Sequence, residues 1–300
     1  MKTYKNIHSD YISFLIKEMN NQFVEENNKD VYINEFSPID NFKNGCLSFA
    51  NEKVKIDLIN STGIILASRM HIIEESNIKI IVVKDPRLVF IRLLKFFFPI
   101  KRPIFYKDIF PSEKILIGNN VLIMPNVVIA ENTKIGDNVI IYPNVVIYEN
   151  VEIKANSIIH SSSVIGNDGF GYQINEMSEY ESFPHYAGVI IEENVEIGAC
   201  STINSGSLRP TIIKKGTKID DNCYIAHNVI IGQNCILTAG VKILGSLICE
   251  DNVWFGPGAV TKNKIKISSG AVVGMGAVVI NDVLANTTVI GNPARVLEKK

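Results

Sequence analysis

His227 is one of the five histidines of this sequence, and it is a candidate for proton transfer. It stands between Ala226 and Asn228, two residues after Ile225, and an imidazole can take up or release a proton at neutral pH. The same histidine has a plain structural reading, a ring at a chain corner hydrogen-bonded to a backbone carbonyl. A second chemical concentration is the stretch 169–188, where Phe170, Tyr172, Tyr180, Phe183, His185 and Tyr186 crowd together. Loops projecting from a rigid scaffold commonly carry recognition; a flap that covers the scaffold or packs on a second copy is the alternative. Cys46, Cys200, Cys223, Cys235 and Cys249 show no Cys-x-x-Cys spacing and no accompanying histidine pair, so no metal site is expected. Cys223, Cys235 and Cys249 fall at interior slots and read as small core fillers in a reducing compartment.

What must position His227 is a six-residue repeat. Isoleucine recurs at Ile117, Ile123, Ile129, Ile135, Ile141, Ile147, Ile153, Ile159 and Ile165, and again at Ile191, Ile197 and Ile203. After four extra residues around Ser207 to Pro210 the line resumes at Ile213, Ile219, Ile225, Ile231, Leu237, Ile243, Cys249, Phe255, Thr261, Ile267, Val273 and Val279. Valine stands two residues before many of these (Val121, Val127, Val139, Val145, Val151), and asparagine three after (Asn120, Asn126, Asn132, Asn138, Asn144, Asn150, Asn156). Neither a helix nor a flat strand repeats every six residues, so the chain must bend at each asparagine and return each apolar residue to one interior line. Twenty-four such hexads make about eight coils if three close one turn. Burial of one such side chain is worth roughly 1.5–3 kcal/mol, enough for the column to offset much of its ordering cost.

The line is absent from residues 1–102. Tyr11, Phe14, Leu15 and Met19 predict a helix, Gly63–Ala67 and Lys79–Val83 predict buried strands, and Asp85-Pro86 caps an apolar helix from Leu88 to Phe98. A small α/β domain fits this order. Pro103 and Pro111 mark 103–113 as a linker, and 114–300 form the repeat domain with a flap at 169–188. With 30 basic and 31 acidic side chains and no basic block, nucleic-acid binding is not expected. Met1 to Phe23 lacks the apolar run of a signal peptide, and Leu88 to Ile100 is too short to span a bilayer and carries Arg92 and Lys95. A cytoplasmic protein with no transmembrane segment is expected.

The hexads resemble those of the hexapeptide-repeat acyltransferases, which implies a mainly β fold, a left-handed parallel β-helix, behind the small α/β domain. Asp168-Gly169-Phe170-Gly171-Tyr172, Val195-Glu196-Ile197-Gly198-Ala199-Cys200 and Ile225-Ala226-His227-Asn228 are more narrowly similar to the UDP-3-O-(3-hydroxyacyl)glucosamine N-acyltransferase family of lipid A biosynthesis. That resemblance implies that His227 is the general base for the sugar amine and that the N–H of Gly245, in Gly245-Ser246-Leu247, faces the thioester oxyanion. It further implies substrate contacts from Phe49, Asn51, Asp168, Phe170, Tyr172, His185 and Asn204, and a homotrimer with sites shared between neighbours. The closing stretch Val283 to Arg295, with Gly291-Asn292-Pro293-Ala294, resembles acetyl-coenzyme-A-dependent hexapeptide transferases, which implies coenzyme contacts from Gly276 and Arg295. No tightly bound cofactor is implied; acyl-CoA, with acetyl-CoA favoured, or an acyl carrier protein is the co-substrate.

Three departures from the narrower family bear on the substrates. Asn51 is followed by Glu52, Lys53 and Val54, where the family has a tyrosine that helps hold uracil; Lys264 stands in the place of a second histidine; and Asn204-Ser205-Gly206 replaces Asp-Arg-Gly. A different acceptor or donor is the expectation, with the lipid A reaction itself and a non-catalytic β-helix module as the alternatives.

Overall fold

A computed structural model describes residues 6–19, 22–50, 61–68, 77–98 and 115–297. The chain divides into two compact units, one of residues 1–101 with 171–184 and the other of 102–170 with 185–300. The expected linker 103–113 and Asn51 lie outside the described residues.

The second unit is a three-faced parallel β-helix. Its faces are parallel sheets of eight, eight and ten strands, the last ending on one antiparallel strand, Arg295–Val296. Equivalent ladder residues pair coil to coil: Ile147 with Ile165, Ile165 with Ile203, Ile203 with Ile225 and Ile225 with Ile243. Every ladder residue from Ile129 to Val279 is buried, while Ile117 and Ile123, in the open first coil, are half-buried. The asparagines turn the corners as their spacing predicts. Asn120, Asn126, Asn132, Asn138, Asn144, Asn150 and Asn156 all have φ between 54° and 62°, a left-handed conformation that asparagine tolerates best among residues with a Cβ. Their amides also stack, as in Asn138 Nδ2 donating to Asn156 Oδ1 at 3.1 Å. Cys223, Cys235 and Cys249 are buried as expected, whereas Cys200 is an exposed corner residue with φ 56°.

The first unit holds a five-stranded sheet. Its strands are β1 (Phe23–Glu26), β2 (Glu35–Phe36), β3 (Cys46–Ala50), β4 (Thr62–Ala67) and β5 (Asn77–Val83), in the order β1-β5-β4-β3-β2. β1 runs antiparallel to β5 and the other pairs are parallel. The second helix, α2 (Pro86–Phe97), starts as its sequence predicts: Asp85 accepts from Leu88 N–H at 2.9 Å and proline takes the first turn. Its buried side chains include Leu88, Phe90, Ile91 and Leu94. The first helix, α1 (Ser9–Lys17), forms but turns a different face inward: Ile12 and Ile16 are buried with Ser9 and Ser13, and Tyr11 and Phe14 are exposed. Two serines can be buried here because Ser9 donates to Asp30 and Ser13 to Glu26. Among the described residues no helix is long and apolar enough to cross a membrane.

The flap differs from its expected place in the repeat domain. Tyr172–Ile174 and Tyr180–Ser182 form an antiparallel hairpin that belongs to the first unit. Arg92 of α2 holds it, donating twice to Glu176, at 3.1 and 2.8 Å, and once to Glu181 at 2.8 Å. Gln173 donates to Asp85 at 3.1 Å, and the Arg87 guanidinium lies 5.4 Å from the centre of the Phe183 ring.

Candidate active site

The site grows from one edge of the face that contains Tyr224–Ile225. Ile225 enters the core, Ala226 is buried beneath the corner, His227 is half-buried at it, and Asn228 makes the turn with φ 62°. Strand pairing sets Glu149, Asn167, Ser205, His227 and Gly245 at the same corner position in successive coils, each step about 4.8 Å.

His227 Nδ1 lies 2.9 Å from Asn228 Oδ1. That amide oxygen is an acceptor, because Ser207 N–H and Ser207 Oγ also donate to it at 3.2 and 2.9 Å and Asn228 Nδ2 donates to Arg209 O at 3.3 Å. Asn228 N–H in turn donates to Thr211 Oγ1 at 2.9 Å. The ring proton therefore sits on Nδ1, and Nε2 keeps its lone pair for an incoming proton.

Gly245 lies against that free nitrogen. A Cβ built on it would stand 2.8 Å from His227 Nε2 and 2.9 Å from Cε1, so only glycine leaves the imidazole edge open. Gly245 N–H donates to no acceptor among the described residues, while Lys264 N–H donates to Gly245 O at 3.0 Å. The exposed Lys264 thus begins the next coil directly beside this pair. On the other side Gly169 fits between two imidazoles: a Cβ there would come within 2.6 Å of His185 Nε2 and of His227 Cβ. His185 is buried, its ring centre 5.2 Å from that of His227 in an edge-on arrangement.

The coils before His227 are acidic. Asp168 is exposed as a residue, yet desolvation by its surroundings pushes its carboxyl above the ordinary range. Burial also pushes Glu149 up, and the neighbouring Asp168 charge adds to the shift. Asn204 is buried, with Nδ2 donating to Tyr224 Oη at 3.0 Å.

Of the residues expected to act together, His227, Gly245 and His185 meet, with Asp168 and Asn204 in the adjoining coils. Phe49 is half-buried in the first unit, its ring 4.9 Å from Phe90 between centres. Tyr172, also of that unit, packs edge-on against Tyr180, and Phe170 is 80 % exposed. Gly276, exposed with φ 63°, lies in the corner that leads into the strand Val278–Val279, the opposite edge of the face from His227. Arg295 is exposed on the last strand and donates to its own neighbour's carbonyl, Ala294 O. Sequence reasoning assigned no role to Asn228, Ser207, Arg209, Thr211, Glu149 or Asn167; the four-residue insertion before Thr211 was the available signal. His8, Asp10 and Asp30 bring three ligand atoms within 4.8 Å of one another. Both ring nitrogens of His8 are nevertheless engaged, Nδ1 by Asp10 N–H and Nε2 by Asp30 at 2.9 Å.

The family described as bacterial transferase hexapeptide (six repeats) matches residues 114–148, 132–167 and 210–245, which include the coils of Glu149, His227 and Gly245. These stretches lie within the three-faced β-helix of this chain. Over 94 residues this chain is 38 % identical to the UDP-3-O-acylglucosamine N-acyltransferase of Caulobacter sp. (strain K31), covering 31 % of this chain and 28 % of that protein. Over 131 residues it is 34 % identical to the protein of that name in Methylorubrum extorquens (strain PA1), covering 44 % and 37 %. The chain thus spans about a third of the length of the curated relatives it matches. Among solved structures, the UDP-N-acetylglucosamine acyltransferase from Campylobacter jejuni superposes with a TM-score of 0.56 at 24 % identity, over 62 % of this chain and 71 % of that one, a likeness of fold. The Francisella novicida UDP-N-acetylglucosamine acyltransferase gives 0.55 at 25 %, over 59 % and 63 %.

Proposed function

We propose that this protein is an acyltransferase that moves an acyl group from a thioester to the amine of a nucleotide-linked sugar. The observation that carries this reading is the pairing of His227 with Gly245: a lone pair on Nε2 and an unused backbone N–H one coil apart. The amine attacks the thioester carbon, His227 Nε2 accepts the amine proton, and Gly245 N–H stabilises the oxyanion until the thiolate leaves. The chemistry needs no side-chain nucleophile. The acyltransferase names of the relatives support the same reaction class.

Acetyl-CoA is the donor this reading favours. The strand Val278–Val279 stands three coils beyond Tyr224–Ile225, roughly 14 Å along the prism. There Val278 N–H donates to Gly291 O and Ala294 N–H to Val278 O, so the turn before Arg295 closes that end of the face. Because Gly276 and His227 occupy opposite edges of one face, a donor touching both is best accommodated by a cleft that a neighbouring copy completes, which supports a homotrimer. Light scattering should give three chains; a fully active monomer would remove the shared cleft.

The donor is tested by thiol release with acetyl-CoA and with a hydroxyacyl carrier protein. Arg295→Ala should raise the apparent KM for acetyl-CoA about ten- to a hundredfold at little change in kcat, the signature of lost uniform binding to a phosphate. Saturable turnover with the carrier protein alone would transfer the assignment to the lipid A reaction. Inactivity with both thioesters would favour a non-catalytic module.

A further inference from the structure

The coils before His227 hold acceptor atoms that the proton transfer leaves unused. Asn204 is 3 % exposed; its Nδ2 is taken by Tyr224 Oη, and its Oδ1 has no donor. Asn167 Oδ1 and Glu149 Oε2 are likewise buried without a partner. The three are linked through the stacking: Glu149 and Asn167 occupy one corner position in consecutive coils, and Ser205 N–H donates to Asn167 O at 2.8 Å. Asp168 adds a carboxyl that reaches the surface. Native proteins rarely leave buried acceptors unpaired, and three in consecutive coils point to a ligand that supplies the hydrogens. A diphosphate cannot be that ligand, because its oxygens are acceptors and bring no hydrogens to these atoms.

We infer that Glu149, Asn167 and Asn204 receive the donor groups of the acceptor, the hydroxyl O–H and amine N–H of a sugar ring, and that the diphosphate of a nucleotide-linked acceptor lies outside this corner. The inference rests on the amino-sugar reading above and adds to it a specificity-determining residue, Glu149. A carboxylate at this position selects a polyhydroxylated or ammonium-bearing ring over an anionic one.

Saturation-transfer NMR on the full chain, with glucosamine as probe and no acyl donor present, tests it. The parent protein should bind glucosamine, and Glu149→Gln, which keeps the shape and removes the charge, should weaken binding by about tenfold or more. Asn167→Ala, at a half-buried position, should weaken it as well and serves if Glu149→Gln fails to fold. Unchanged glucosamine binding in the folded variants, or no binding by the parent, would overturn the inference. So would tighter binding of uridine diphosphate to Glu149→Gln, since that would seat the diphosphate in the corner. Glucosamine binding that follows these expectations without acyl transfer from any thioester would keep the subsite and remove the acyltransferase reading, so the two fail separately.

Discussion

His227 Nδ1 and Asn228 Oδ1 are 2.9 Å apart, and that contact decides which nitrogen of the imidazole is free. Asn228 is itself over-determined: the inserted segment supplies Ser207 as donor and Arg209 O as acceptor, and Thr211 takes the backbone N–H. An asparagine therefore orients the base here, and the left-handed turn at φ 62° is the conformation that lets adjacent residues meet in this way.

Removing the base and removing its orienting partner should be non-additive. His227→Ala should lower kcat by about 10²–10⁴ with the melting temperature nearly intact. Asn228→Ala should lower kcat with little change in KM, Asn228→Asp should recover part of it by restoring the acceptor for Nδ1, and in the His227→Ala background neither should matter further. Full additivity would return Asn228 to a purely structural role.

Gly245→Ala tests the other half of the pair. Its methyl would stand 2.8 Å from Nε2, so the ring must move or the thioester carbonyl lose its place. The expected outcome is a fall in kcat of about 10²–10³ in a protein that still folds, the usual worth of a misplaced oxyanion donor. Parental turnover in this variant would show that the reacting carbonyl lies elsewhere.

Acid should loosen the hairpin. Arg92 holds Glu176 down to about 2 from an ordinary 4.5, and lowers Glu181 too. A carboxyl whose folded value is depressed contributes fully above its unfolded value and loses that contribution as pH falls through the folded one. The window is thus about pH 4.5 down to 2, and partial exposure keeps the effect modest. Proteolysis at the tip near Met177, which is 74 % exposed, should rise through that window and should already be raised at neutral pH in Arg92→Ala. An unchanged acid profile in that variant would remove the charge latch.

The architecture was legible in the sequence because a solenoid repeats its instructions locally. Each isoleucine needs only its counterpart one coil away, and each corner asparagine only its own φ, so a period of six carries both the core and the turns. The count from Ile225 placed His227 at a corner, but its role as a base came from the resemblance of Ile225-Ala226-His227-Asn228 and not from the repeat. Helix α1 was legible as a helix but its inward face was not, because buried serines with acidic partners look polar in a pattern of apolar spacing. What only the tertiary structure decided were the contacts that cross between coils or leave the repeat altogether. Ser207 and Arg209 lie some 20 residues before Asn228, Glu149 reaches the neighbourhood of Asp168 through stacking, and Arg92 holds a hairpin more than 80 residues away. Periodicity says nothing of such pairs, since their partners are brought together by the coil spacing and by insertions that interrupt it, the features a repeat does not encode.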